Sequence, residues 1–297
     1  MRRRVGLAII VALAAAAGWI ATAPQPLSAD EVARQPGDAA RGERLFHVGG
    51  CASCHAAKGA KGDDRTRLGG GAALVTQFGS FQPPNISPGR DGIGGWSLAD
   101  FDNAMRRGIS PDGRHYYPAF PYTSYARMTA GDVADLHAYL KTLPAVAGKA
   151  PENQIGFPFS IRRGIGLWKR LYLDPAPVVA LPATASPAAR AGQYLVEGPG
   201  HCGECHTPRT PFGGTDRSRW LAGAPDPEGK GKVPGLTPTT LSWSAGDIAE
   251  YLKTGFTPDY DSVGGSMVEV QANMAELPQA DRDAIAAYLK AVPPQPR

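Results

Sequence analysis

The chain has little of the chemistry that most enzymes and cross-linked secreted proteins are built on. It holds four cysteines and six histidines in 297 residues. The cysteines fall into two close pairs, and none is left over for a disulfide framework. There is no nucleophile–base pair and no glycine-rich phosphate loop, so hydrolytic and nucleotide-dependent classes have no footing. No run alternates apolar and polar residues well enough to be a strand. Residues 1–29 contain no Asp or Glu, and the formal charge of +4 comes mostly from Arg2, Arg3 and Arg4 there. Without those three, basic and acidic residues balance to within one, which argues against nucleic acid. The hydrophobic share of 42% excludes disorder as a global state.

What is present centres on Cys51-Ala52-Ser53-Cys54-His55 and Cys202-Gly203-Glu204-Cys205-His206. Each is a C-x-x-C-H, the attachment pattern for haem c. Two thiols three positions apart suit the two vinyl groups of one porphyrin. The histidine that follows is placed as proximal iron ligand. The expectation is two covalently bound haem c groups, on Cys51 and Cys54 with His55, and on Cys202 and Cys205 with His206. Two other readings compete. A thioredoxin-like redox pair wants a βαβ context that neither copy has. A shared zinc site would need neither adjacent histidine.

The leader fits this chemistry. Three arginines precede 19 uncharged residues, 5–23, long enough for a membrane span as well as for a signal h-region. Cleavage could follow Ala23 or Ala29, although Pro24 disfavours the first, so signal peptide and retained anchor both stand. In either case the arginines stay inside and the remainder is exported. That places the protein in the periplasm, attached to the outer face of the cytoplasmic membrane.

An internal repeat runs at an offset of 147. Trp96-Ser97-Leu98-Ala99-Asp100 leads to Gly108, and Trp243-Ser244-Ala245-Gly246-Asp247 leads to Gly255. Each begins with an S-x-x-D helix start and ends on a stopping glycine. Closing helices begin near Asp132 and Asp281, and a short helix precedes each C-x-x-C-H. This is the pattern of a small class I cytochrome c, so the expected fold is all-α. The expected divisions are 1–29 leader or anchor, 30–143 first domain, 144–187 linker and 188–297 second domain. Seven prolines mark the linker. Within it Ile161, Ile165, Trp168 and Tyr172 recur at helical spacing among Arg162, Arg163, Lys169 and Arg170. That stretch is either a strap across the domain interface or a basic amphipathic surface for a membrane or partner.

A class I cytochrome closes its iron with a methionine before the last helix. Met105 matches Leu252 in the repeat and reads as core. Met267, after Gly264-Gly265-Ser266, is the expected ligand of the second haem, with Met274 as fallback. Met267 falls on Phe120 in the first half, which cannot bind iron. Met128 is therefore the expected first ligand, though it could instead be a hydrophobic residue bracing the closing helix. His115 and His137 are the other donors nearby, and His137 looks like a surface residue. Asn85 and Thr237 could donate to propionates or simply make turns, and Trp96 and Trp243 are expected at the haem edges.

The chain resembles the multihaem cytochrome c subunits of exported, membrane-associated bacterial dehydrogenases acting on alcohols, sugars or aldehydes. The similarity lies in Gly94-Gly95-Trp96-Ser97, Tyr117-Pro118-Ala119-Phe120-Pro121-Tyr122, the stretch from Gly200 through Arg209, and Ala284-Ile285-Ala286-Ala287-Tyr288-Leu289-Lys290. Members often have three haems, where this chain has two motifs. The resemblance implies a non-catalytic relay of single electrons. They would come from a catalytic subunit with a flavin, a quinone cofactor or molybdenum, and pass to a quinone or a terminal oxidase. The alternative is a haem enzyme, peroxidase-like or sulfur-oxidising, using a first haem left open at Phe120. A free periplasmic carrier would differ only in lacking leader and partner.

Overall fold

Four helix starts set the frame, and each is written locally. Ser97 and Asp100 form a reciprocal capping box at the start of one helix, and Ser244 and Asp247 do so at another. Asp38 and Ser186 cap two more through their side chains. The computed structural model describes residues 2–226 and 231–293. An apolar helix α1 (Arg2–Ala21) leads into the first half. That half contains α2 (Ala39–Val48), α3 (Cys51–His55), α4 (Leu98–Asp102), α5 (Tyr122–Tyr125) and α6 (Ala130–Leu140). After α7 (Ile165–Tyr172) the second half contains α8 (Pro187–Glu197), α9 (Gly203–His206), α10 (Ala245–Thr254), α11 (Met267–Ala275) and α12 (Gln279–Ala291). The run begun by α4 widens into a π-helical turn over Asn103–Arg107 before stopping at Gly108, whose φ is 58°. Gly255 stops α10 with φ 79°.

Each half is held by a pair of crossing helices whose approach depends on one glycine. A Cβ at Gly42 of α2 would lie 2.0 Å from the Asp135 carbonyl oxygen on α6. One at Gly192 of α8 would lie 1.8 Å from the Ala284 carbonyl oxygen on α12. Both glycines also sit against a tyrosine of the partner helix, Tyr139 and Tyr288. Two apolar cores result. One gathers Leu45, Phe46, Leu68, Phe101, Val133 and Leu136. The other gathers Leu195, Trp220, Ile248, Ile285, Tyr288 and Leu289, with Val48 of the first half inserted.

The helical expectation needs one correction. Two short antiparallel hairpins are present, Leu74–Thr76 with Gly79–Phe81, and Ala224–Pro225 with Lys232–Val233. Strands of two or three residues are too short to display an alternating pattern. The stretch 144–187 is also more than a connector. Gln154 pairs with Ser80, Asn153 accepts from Gln82 N at 2.7 Å, and Val179 enters the second core.

The α7 strap packs across both halves. Ile165, Gly166 and Lys169 are buried. Lys169 donates to the carbonyls of Arg107 and Gly108 and sits 4.7 Å above the Tyr122 ring. Trp168 donates to the Phe212 carbonyl at 2.9 Å, and the Tyr172 hydroxyl lies 2.7 Å from that of Thr210. Replacing Gly192 by Ala is expected to lower stability by roughly 1–3 kcal/mol through overpacking, although alanine is the better helix former by about 1 kcal/mol. A urea unfolding midpoint unchanged or raised in Gly192→Ala would show that the crossing tolerates the extra carbon.

Candidate functional site

The two C-x-x-C-H motifs fold alike. Each lies on a short helical turn, α3 and α9, that follows the glycine-rich end of a longer helix. In each, the histidine is oriented by the same partner type. His55 Nδ1 lies 2.8 Å from the Pro84 carbonyl oxygen, and His206 Nδ1 lies 2.8 Å from that of Pro234. A carbonyl accepts only a proton, so Nδ1–H is the donor and Nε2 keeps its lone pair for a metal. This is the outer-shell arrangement that fixes the tautomer of a ligating imidazole. Burial lowers the pKa of both rings, against the opposing effect of those bonds. Both therefore favour the neutral form that binds iron.

The cysteines divide into inner and outer members. Burial, with a smaller contribution from the neighbouring thiol, pushes Cys51 and Cys202 up to about 12. Thiols held neutral make poor redox nucleophiles. Cys54 and Cys205 are exposed at the surface of their turns. Among the described residues no three His, Cys, Asp or Glu side chains converge as a metal-binding group, so the two pairs do not form one shared zinc site.

The third residue of each motif reaches into the opposite half. Ser53 Oγ accepts from Asn273 Nδ2 of α11 at 2.8 Å. Glu204, at the equivalent place, accepts from the hydroxyls of Thr123 and Ser124 on α5 at 3.1 and 2.9 Å. Further contacts repeat the exchange. Arg44 of α2 pairs with Asp281 at the start of α12, and Tyr194 of α8 donates to Asp132 at the start of α6. His201 Nε2, just before the second motif, lies 3.2 Å from the Gly49 carbonyl just before the first. The motifs are therefore near neighbours. Although Cys205 is exposed at its turn, desolvation by the surrounding protein and then Glu204 raise its thiol pKa, and Cys54 of the other motif is near enough to add a smaller part.

None of these cross-contacts was legible in the sequence. Ser53 and Glu204 occupy the variable positions of their motifs, and the matching place in both copies was the one available signal. Also missed was a buried chain in which Trp220 donates to Tyr288 and Tyr288 to Glu197, whose carboxylate receives the Val178 and Val179 amides.

The methionines are placed unequally. Met128 is buried in the first core, together with Ala52 and the edge of Cys51. Met105 is buried there too, as expected. Phe120 packs edge-on to Tyr116, Tyr122 and Tyr125. Met267 is not in a loop. It is the first residue of α11, and Met267, Val270 and Met274 form one stripe against the second core, a helical period of 3, 4 and 7 hidden by the preceding glycines. His137 is not a surface residue: it stacks on Phe101 with ring centroids 5.0 Å apart. Burial, with Lys141 nearby, lowers its pKa to about 4. His115 is turned toward the Thr22 carbonyl at 2.9 Å. Asn85 donates to the carbonyls of Val146 and Gly148, and Thr237 bonds within its own turn, so both close loops.

Of the two motif residues that reach across, Ser53 and Glu204, the glutamate carries a charge. Burial acts to raise its pKa, but Arg209 at 2.6 Å and the Ser124 hydroxyl outweigh it, and the carboxyl is held below its usual range. A depressed carboxyl stabilises the fold above the ordinary Glu pKa and loses that contribution as pH falls through the lower folded value. Glu204→Gln is expected to cost roughly 1–2 kcal/mol at pH 7, reduced from a sealed pair because Arg209 is partly in water. Urea midpoints from pH 7 down to 3 should converge for wild type and variant. Parallel curves would mean that the carboxylate contributes nothing.

Comparison with known proteins agrees with this geometry. A profile of the cytochrome c family matches residues 39–144. A diheme cytochrome c-type protein of Cereibacter sphaeroides is 54% identical over 296 residues, covering 99% of both chains. The fructose dehydrogenase cytochrome subunit of Gluconobacter japonicus is 37% identical across 92% of this chain. The cytochrome c subunit of a quinone-type alcohol dehydrogenase of Gluconacetobacter polyoxogenes is 36% identical across 86%. The chain spans 55% and 56% of those two subunits. The duplicated C-x-x-C-H, its proline-bound histidines and end-to-end identity with a diheme relative lead to one assignment: this chain belongs to the dihaem c-type cytochromes of the cytochrome c family.

Proposed function

We propose that the chain is a two-haem electron relay built as two class I cytochrome domains in tandem. The first haem would be held by Cys51, Cys54 and His55, the second by Cys202, Cys205 and His206, with Met128 and Met267 as distal ligands. Haem c supplies the one-electron couple. The chain's own part is to hold both attachment turns against each other, keep each histidine in the ligating tautomer, and exclude water with two apolar cores. The observation that carries the reading is the reciprocal contact of Ser53 and Glu204 with the opposite half. With His201 set against Gly49, it supports two attachment turns lying close together, as a relay requires and a pair of independent carriers does not.

The relatives support the proposed electron source: two are named as cytochrome subunits of fructose and alcohol dehydrogenases. The proposed donor is a catalytic dehydrogenase subunit of flavin, quinone-cofactor or molybdenum type, and the acceptor a quinone or a terminal oxidase. The proposed location is the periplasm, on the outer face of the cytoplasmic membrane. Helix α1 is apolar and long enough to cross it.

Two measurements test this. The mass of the purified holoprotein should exceed that of the polypeptide by two haem groups; a single haem or none overturns the relay. Met128→Ala and Met267→Ala should each remove about half of the methionine–iron charge-transfer absorbance of the oxidised protein, and each should lower the potential of one haem, since methionine ligation raises it. Full absorbance in Met128→Ala with carbon monoxide binding to the wild type would instead leave the first haem open, as a haem enzyme needs.

A further inference from the structure

The strap that ties the two halves together also grips the end of the apolar helix. Arg163 donates from Nη2 to the Trp19 carbonyl at 2.6 Å and from Nε to Thr22 Oγ1 at 3.0 Å. Its guanidinium lies 3.9 Å above the Trp19 ring. Arg170 donates to the Ala21 carbonyl at 2.8 Å. Two arginines thus satisfy carbonyls that a helix end leaves free, at its negative pole. Thr22 is only 8% exposed. It fits against Gly166, where a Cβ would come within 2.3 Å of the Thr22 carbonyl oxygen. Buried His115 has Thr22 as the partner of Nε2, and its Nδ1 has none. Five residues later the Leu27 amide donates to Asn103 at 2.8 Å. Removal of the leader after Ala23 would strip His115, Arg163 and Arg170 of these partners. Removal after Ala29 would also free Asn103.

The face of α7 that makes these bonds is not otherwise polar. Arg163, Leu167, Arg170 and Leu171 follow one another at helical spacing. Leu167 is 52% and Leu171 70% exposed, and the buried side of α7 faces the protein. Phe157, Phe159 and Ile161 are exposed just before the strap, Phe157 at 82%. Five large exposed apolar side chains therefore lie on the strap and the segment just before it, and the same strap grips the end of a helix fit to span a membrane. Trp19 and two arginines stand at the same level, the side chains that settle at the boundary between headgroups and acyl chains.

We infer that residues 157–171 are a membrane-docking surface, held by a retained α1, which lays Leu167, Leu171 and Phe157 into the outer leaflet of the lipid bilayer. The occupant is lipid because the strap that carries Leu167 and Leu171 also holds the end of α1, a helix fit to span a membrane, beside the interfacial groups Trp19, Arg163 and Arg170. Two attachments, one spanning and one lying flat, fix the tilt of the protein on the membrane and so the side each haem turn presents.

The test uses the full holoprotein in vesicles of phosphatidylcholine with phosphatidylglycerol. Spin labels are placed one at a time through Leu171→Cys, Phe157→Cys and, on the outer side of α10, Glu250→Cys. Relaxation at Leu171 and Phe157 is expected to favour oxygen, which concentrates in lipid, over a water-soluble nickel chelate, with the order reversed at Glu250. Water-like values at Leu171 and Phe157 overturn the docking surface. The intact mass of the membrane-extracted chain should include residues 5–29; a mature chain beginning after Ala23 or Ala29 overturns the retained anchor and the surface with it. Neither result depends on haem content, so the relay stands or falls separately.

Discussion

The structure depends on a mutual exchange: each C-x-x-C-H turn is completed by the other half of the chain. Ser53 meets α11 and Glu204 meets α5, and the ends of α12 and α6 are each held by a side chain from across the interface. No single bond of this set is strong. Together they fix the one relation that matters for a relay, the separation of the two turns, in a way that an elastic linker could not.

The repeat makes the exchange possible. Two copies of one plan, offset by about 150 residues, present like surfaces to each other, as in a twofold dimer. Within each copy a glycine lets the paired helices close, and a proline carbonyl orients the histidine. The copies then diverge in detail. The first has Ser53 and a neutral neighbour, while the second has a carboxylate with its own arginine. Equivalent places in the fold are thus given unequal electrostatics, although the backbone treats them alike.

What could be read beforehand follows from range. The C-x-x-C-H motifs, the Ser97 and Ser244 boxes and the stopping glycines 108 and 255 each involve residues a few positions apart, and their chemistry is written locally. The strap's inward face, Ile165, Trp168 and Tyr172, was legible for the same reason. Arg44 with Asp281, or His201 with Gly49, joins positions 237 and 152 apart, and no local pattern encodes that. Met267 was misplaced because its glycines mark a loop, whereas the stripe that makes it helical begins with it. Lys169 looked like a solvent charge on an amphipathic helix, yet its ammonium spans two carbonyls that Gly108 leaves at the end of a turn.

The pairing of Arg44 with Asp281 bears on how the protein comes into being. A polypeptide is made from its amino end, and domains tend to fold as they arrive. The earlier half emerges with Arg44, Asp132 and Ser53 still lacking their partners from the later one. That flank stays open until the final helix, which carries Asp281 237 positions behind Arg44, has been made.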